Sequence, residues 1–532
     1  MKRFVATLTG LLILAVAAPA ADSAERKLVQ LSVTAHSTGN LFLEQLILRR
    51  LMIEASSDVA DAARERLARN ALERGDYAET IRLLNAGDGT EDKNSRKIRR
   101  DRSIIGEAYR LSGDIATATQ ILNDILSTTP NPAQPDDAAL YAVKSLDAIS
   151  VETDESEHFR RAAVYQFNRY WPEARLHFEQ VKTSTDAAEA LFQIGRGYSQ
   201  DRQYADAVPV FQRLIDNFPD TPHARDALLQ LAGAYARLGK NDEAIARYQT
   251  FIDKYLTAEN LDRAYLNIVD VYRDADDDAK ALEWCQRTEE AFAGKTPEAL
   301  AIFAEAKIHA ARGESQNEIA ALDRLQQSSD LGGATTPGGT TPEEIRSMRA
   351  AALQVQVQPQ RSASNMSPPA RREYPIQFSE LLLPGSASAK VDPRLLLALM
   401  KQESRFDPQA SSNAAARGLM QFTHPQAYKI ARELGWMTFD DEELYSPEVS
   451  IALAAQYLAD LNAMFPGQTE AVIASYNGGE DNVKRWMARA QSDEPERYVP
   501  EFVFGQTKDY AYRVMASYRA YQQLYDEQLR PR

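Results

Sequence analysis

One cysteine, Cys285, in 532 residues leaves no pair to oxidise. An internal disulfide framework is excluded, and the domains must be held by packing. The six histidines show no metal-ligand spacing, so neither a metal nor another cofactor is expected. An excess of basic charge is also missing: 61 Lys and Arg stand against 76 Asp and Glu, for a net charge of −15. That excludes a nucleic-acid surface, which would show a basic patch or stripe. Strand-like alternation is almost absent from about Asp58 to Ser328, where the pattern is amphipathic helix. What is present is the composition of an ordinary soluble protein, 44% hydrophobic and 26% charged, long enough for two or more domains.

The first twenty residues read as an export signal. Lys2 and Arg3 precede an apolar core from Phe4 to Ala18, and Ala18-Pro19-Ala20 forms a small-residue cleavage site, with an alternative at Asp22-Ser23-Ala24. The apolar core is short for a membrane span. No cysteine lies near the cleavage site, so a lipid anchor is not expected there. The mature protein is expected to be soluble and periplasmic, cleaved near Ala20.

A 37-residue repeat is measurable downstream. Tyr198, Tyr235 and Tyr272 keep that spacing, as do Ala207, Ala244 and Ala281, and Phe211, Tyr248 and Cys285. Each unit reads helix, polar turn, helix. Small residues let the paired helices approach, and aromatics fill the seam. Ala174 and Phe178 precede Ala207 and Phe211 by 33 residues, and Gly75-Asp76-Tyr77-Ala78 and the segment from Ala108 to Asp114 read as degenerate copies. From 331 to 342 the chain turns to Gly, Thr and Pro, a flexible linker, with a short helical stretch around Glu343 to Leu353. The expected division is a signal peptide over 1–20, a helical repeat domain over 21–328, a linker over 329–370 and a C-terminal domain over 371–532.

In that last region Asp392-Pro393 suits a helix start, and Glu403 ends the apolar stretch that follows. Leu396, Leu399 and Met400 share a helical face with Glu403. A carboxylate on such a face loses hydration when charged, which raises its pKa toward that of a general acid. Gly418-Leu419-Met420-Gln421 places a glycine, which permits close backbone approach, before an amide able to donate and accept hydrogen bonds to sugar groups. Ala474-Ser475-Tyr476-Asn477-Gly478-Gly479 ends a helix from Thr469 to Tyr476, with two polar tips at its terminus.

Glu403-Ser404-Arg405-Phe406-Asp407-Pro408, then Gly418-Leu419-Met420-Gln421, Leu444-Tyr445-Ser446-Pro447, Tyr457-Leu458, the Tyr476-Asn477-Gly478-Gly479 run and Thr507-Lys508-Asp509-Tyr510 together resemble the soluble lytic transglycosylase (SLT) family, family 23 glycoside hydrolases with a goose-type lysozyme fold. Tyr374-Pro375-Ile376 is similar to the lead-in of that domain, and the upstream units resemble tetratricopeptide repeats. The resemblance implies an all-α protein: a tetratricopeptide-like helical solenoid followed by a lysozyme-like α-helical catalytic domain. It implies non-hydrolytic cleavage of the MurNAc–GlcNAc β-1,4 bond of peptidoglycan, with Glu403 as acid and then base, and a 1,6-anhydro product. Ser404, Gln421, Tyr476 and Asn477 would orient the sugar beside Gly418, and Met420, Tyr457 and Tyr510 would line the groove. The partners implied are glycan strands and no nucleic acid; the solenoid could also hold proteins.

Two places depart from the family pattern, Phe422-Thr423-His424-Pro425 and Gln506-Thr507-Lys508. Two further readings stay open. A hydrolytic muramidase would take a second acid from Asp440 to Glu443, a run that otherwise reads as a solvated helix start. A non-catalytic scaffold would use the repeats to recruit partners and the C-terminal domain only to hold glycan.

Overall fold

The computed structural model describes residues 40–55, 57–85, 96–129, 131, 133–149, 153–183, 186–327, 371–436, 439–502 and 505–532, with residues 28, 31, 32, 35, 345, 348, 349 and 352. The expected signal peptide, and nearly all of the expected linker, lie outside them. Among the described residues every regular element is helical, and the only β features are isolated bridges such as Arg417 with Phe422. The fold class is all-α. No helix among these residues is long and apolar enough to cross a membrane.

The chain forms two compact units. One runs Met1–Ala187 and Glu403–Ala454; the other runs Ala188–Gln402 and Ala455–Arg532. Each therefore joins repeat helices to residues of the C-terminal region.

In the second unit the repeats are helical hairpins: Tyr204–Asn217 follows Ala187–Gln200, Asn241–Lys254 follows Pro222–Arg237, Asp278–Ala291 follows Leu261–Asp274, and Ser315–Gln327 follows Thr296–Ala311. Two of the three series at the 37-residue spacing are core, and Tyr198, Tyr235 and Tyr272 pack half-buried against it. Ala207, Ala244 and Ala281 are all 0% exposed, and Phe211, Tyr248 and Cys285 are buried with them. Burial pushes the Cys285 thiol up to about 12, so it is an inert apolar filler. Caps fix the helix starts: Thr221 accepts from Ala224 N and Asp277 from Lys280 N.

The turns carry a further series. Arg202, Gly239, Asp276 and Gly313, each 37 residues from the next, all have left-handed backbone with φ of 60°, 70°, 56° and 70°. The amide after each turn residue donates back to a carbonyl five residues earlier, at Tyr198, Tyr235, Tyr272 and His309. Those bonds satisfy the last carbonyls of the first helix and set the angle of the hairpin.

Buried ion pairs hold the C-terminal residues of this unit to its repeats. Glu501, 2% exposed, accepts two hydrogen bonds from Arg273 (2.9 and 2.7 Å), and Lys307 lies 3.3 Å away. Burial alone would raise this carboxyl, but the Arg273 and Lys307 charges win and hold it at about 2. Arg489 reaches Asp270 at 2.8 Å and Asp274 at 2.6 Å.

Candidate active site

The helix Pro393–Glu403 starts as its sequence demands. Asp392 accepts from the Arg394 amide (2.8 Å), from the Arg394 guanidinium and from Tyr518 Oη (2.8 Å). The expected single apolar face is instead burial all round: every residue from Pro393 to Met400 is buried. The Tyr374-Pro375 lead-in supplies carbonyls to Tyr525 and Tyr521 Oη, both at 3.0 Å, and Lys401 Nζ sits 3.7 Å from the centroid of the Tyr374 ring.

Glu403 is half-buried at the helix end. The chain then breaks sharply: Arg405 (φ 54°) and Phe406 (φ 69°) are both left-handed, and Ser404 Oγ accepts the Phe406 amide at 3.1 Å. Ala415, Gly418 and Gln421 are also left-handed, at 58°, 75° and 51°. Four non-glycine residues in this conformation between 405 and 421 are costly, and such strain persists where surrounding structure dictates it, as at binding and catalytic sites.

The surroundings that dictate it are visible. Gly418 donates to Ala410 O (2.9 Å), and both hydrogens of the Gln421 amide are engaged by Ala410 O (3.1 Å) and Gly418 O (2.9 Å). Gln421 can therefore offer a sugar its carbonyl oxygen, whereas the sequence reading gave it donors as well. The close approach that Gly418 permits is to the protein itself: an added Cβ would overlap the Leu444 carbonyl and stand 2.8 Å from Ser450 Oγ. Met420, expected to line a groove, is 0% exposed.

Arg417, 2% exposed, anchors this loop to the repeat helices of the same unit. Its guanidinium donates to Asp137 (2.9 and 2.8 Å), Asn168 Oδ1 (2.8 Å) and Ala415 O, and lies 3.2 Å from Asp441. His424 completes the cluster, with Nδ1 2.7 Å from Asp441 and its ring stacked on Tyr170 at 3.8 Å. The departure at Thr423-His424 is thus part of a structural network.

The acidic run from Asp440 to Glu443 corrects the sequence reading. Asp440 is exposed and does cap a helical turn, Asp441–Tyr445, but the three acids after it are withdrawn from solvent. Asp441 and Glu443 are buried. Burial alone would raise Asp441, yet the His424 hydrogen bond and the Arg417 charge hold it below the usual range. Glu442 pairs with Arg69 at 2.6 Å. Burial, reinforced by the Asp440 charge, raises Glu443 to about 8, so it is a neutral acid at pH 7. The partner of Glu442, Arg69, lies 373 residues away and those of Asp441, Arg417 and His424, lie outside the run, so local polarity gave the wrong answer.

The second unit holds the other candidates. Tyr457 and Tyr476 have ring centroids 5.5 Å apart, and Tyr457 Oη donates to Glu480 Oε2 at 3.1 Å. The helix Thr469–Gly478 runs two residues beyond the expected end. Asn477 is exposed and accepts from Thr507 Oγ1 at 2.8 Å. Thr507 also closes over Gly478, where an added Cβ would meet Thr507 Cγ2 at 2.9 Å. Tyr510 is 4% exposed and Tyr457 6%. The sequence reading gave no supporting role to Glu480, which follows the Tyr476–Gly479 run, or to Thr507, which it had named only as part of the Thr507–Tyr510 motif.

Comparison with known proteins finds similarity in this region and in the repeats. Residues 384–499 match the model of the transglycosylase SLT domain, which takes in Glu403, Gly418 to Gln421, Tyr476 and Asn477. Residues 192–259 and 229–296 match tetratricopeptide repeats. Among similar proteins, membrane-bound lytic murein transglycosylase C of Cronobacter sakazakii is 40% identical over 104 residues, 18% of this chain and 29% of that one. The soluble lytic murein transglycosylase of Escherichia coli K12 is 24% identical over 150 residues, 28% of this chain and 23% of that one. The chain thus spans under a third of the length of these relatives. The crystal structure of the 70 kDa soluble lytic transglycosylase of Escherichia coli aligns over 93% of this chain and 96% of that one, with 12% identity and a TM-score of 0.34. The SLT match ends at 499, so Glu501, Thr507 and Tyr510 lie beyond it.

Proposed function

We propose that the protein is a peptidoglycan lytic transglycosylase that cleaves the MurNAc–GlcNAc β-1,4 bond without water, in cell-wall turnover. The observation that carries this reading is Glu403, a half-buried carboxylate at a helix end inside the SLT match, followed by consecutive left-handed residues and the loop that carries Gln421. Glu403 donates its proton to the glycosidic oxygen as the C1–O bond breaks. The resulting carboxylate then takes the proton of the MurNAc C6 hydroxyl as that oxygen bonds to C1. The glycan is divided, no water is consumed, and Glu403 returns to its protonated form. Gln421 Oε1, Tyr476 and Asn477 orient the sugar. Ser404 acts by holding the turn after Glu403, and Gly418 by admitting the Leu444 carbonyl beneath the loop. A second acid is not required where the substrate's acetamido group assists, and the ion pairs of Asp441 and Glu442 support a single-acid reading. The export-like N-terminal sequence supports a periplasmic location, and glycan strands are the expected partner.

The test is digestion of purified sacculi with mass spectrometry of the products. Muropeptides lighter by one water than hydrolysis products are expected, and Glu403→Gln should lower their release by at least about a thousandfold. Hydrated reducing ends would instead indicate a muramidase, and binding to sacculi without any product a scaffold.

A further inference from the structure

The second unit contains a cavity of about 650 Å³ that none of Tyr457, Tyr476, Asn477 and Tyr510 lines. Its wall carries six arginines and lysines against three aspartates, in a chain whose net charge is −15. Three of the cations are committed: Arg273 to Glu501, Arg489 to Asp270 and Asp274, and Arg202 to Asp481. Arg237, Lys484 and Arg485 have no carboxylate partner among the described residues.

The geometry around Arg237 and Arg485 is unusual. Both terminal nitrogens of Arg237 stand 3.5 Å from Asn482 Oδ1, and Arg485 Nη2 donates to the same oxygen. Two guanidinium charges thus converge on one neutral acceptor, and Arg485 Nε is buried with no hydrogen-bond partner. Like charges brought together without an anion repel, and a carboxylate between them would relieve the repulsion through charge-assisted bonds. Asn482 is held for this role, since its Nδ2 donates to Gly478 O at 2.6 Å.

The backbone adds independent support. The cavity touches the same turn in three successive repeats, at Arg202, Gly239 and Asp276. Glycine satisfies the left-handed φ in the middle one, whereas its neighbours hold charged residues there at a steric cost. Asp276 makes no ion pair among the described residues and gives the wall a site for a cation. A neutral sugar would not need three uncommitted cations, and a purely anionic ligand such as a polyphosphate would leave Asp276 without a counter-charge.

We propose that this cavity binds a peptide bearing carboxylates and an ammonium group: Arg237 and Arg485 clamp one carboxylate, Lys484 receives a second, and Asp276 takes the ammonium. On the function proposed above, from which this identity follows, the ligand is the peptide carried by the glycan.

The test is calorimetric titration of the full chain with a glycan-free peptidoglycan tetrapeptide containing a diamino acid. Saturable binding is expected. It should weaken about tenfold or more in Arg237→Gln/Arg485→Gln and by about threefold in Lys484→Gln, an exposed position whose variant should melt like the wild type. It should be unchanged in Glu403→Gln. Affinity within twofold of wild type in the double variant would overturn the proposal, as would displacement of the peptide by an equal concentration of inorganic phosphate. Because the peptide carries no glycan, the titration reads the cavity even if Glu403→Gln shows that the proposed reaction is wrong. In digests, the double variant should be slowed on peptide-bearing sacculi and should match the wild type on glycan stripped of peptide.

Discussion

At the position of Gly418 two independent demands meet, a φ of 75° and the Leu444 carbonyl where a Cβ would stand. Gly239 faces only the first, having a φ of 70° and nothing within 4 Å of an added Cβ. Gly418→Ala should therefore cost about 3 kcal/mol or more and Gly239→Ala only about 1 kcal/mol, read from denaturant midpoints of the two variants. Equal losses would show that the Leu444 contact relaxes freely. Glu443 tests burial of charge in the same way. Its folded pKa, about 8, lies above the ordinary 4.5, so its contribution is fully present below pH 4.5 and is lost as pH rises toward 8. Glu443→Gln keeps an acceptor for the Asp440 amide and removes the ionisation. It should raise stability at pH 7 by about 2–3 kcal/mol and flatten the pH dependence between 4.5 and 8. At this scale the sequence was legible where one residue type has one use, as with a glycine in a turn or a carboxylate closing an apolar helix. It was not legible for Asp441 to Glu443, because a run of acids looks alike whether water or distant arginines surround it.

Among the helices, the 37-residue spacing identified the core of each hairpin because buried small and aromatic residues must recur with the repeat. The turn series at Arg202, Gly239, Asp276 and Gly313 obeys the same period and went unread, since two of its four members are charged residues that do not announce a left-handed turn. Ion pairs between helices leave no periodic trace at all. Glu501 shows how much depends on them: it is 2% exposed and pairs with the buried Arg273 and the half-buried Lys307. Glu501→Gln leaves two cations without their anion and should cost about 3–5 kcal/mol, visible as a fall in melting temperature. The pH dependence has the opposite sign to that of Glu443. With a folded pKa of about 2 against the ordinary 4.5, the contribution is present above pH 4.5 and lost as pH falls toward 2, and the variant should lack that acid limb.

For the molecule as a whole, the composition change between 328 and 371 marks where the chain alters character, while each compact unit draws on residues from both sides of it. In the first unit that sharing reaches the candidate site. Asp137, at the first position of the helix Asp137–Asp147 in the repeat region, accepts two bonds from Arg417 and one from Tyr445 Oη at 2.7 Å. Arg417 in turn opens the loop whose Gln421 is proposed to meet the sugar, and its amide donates to Phe422 O at 2.9 Å. Asp137→Ala removes the carboxylate but leaves Arg417 with Asn168 and Asp441, so the cost should be about 2 kcal/mol and not that of a wholly unpaired buried charge. The loss should be local before it is global. Hydrogen exchange at the Arg417 and Gly418 amides should quicken more than at the 0%-exposed Leu396 and Leu399, and release of glycan products should fall with no change in the acid limb assigned to Glu501.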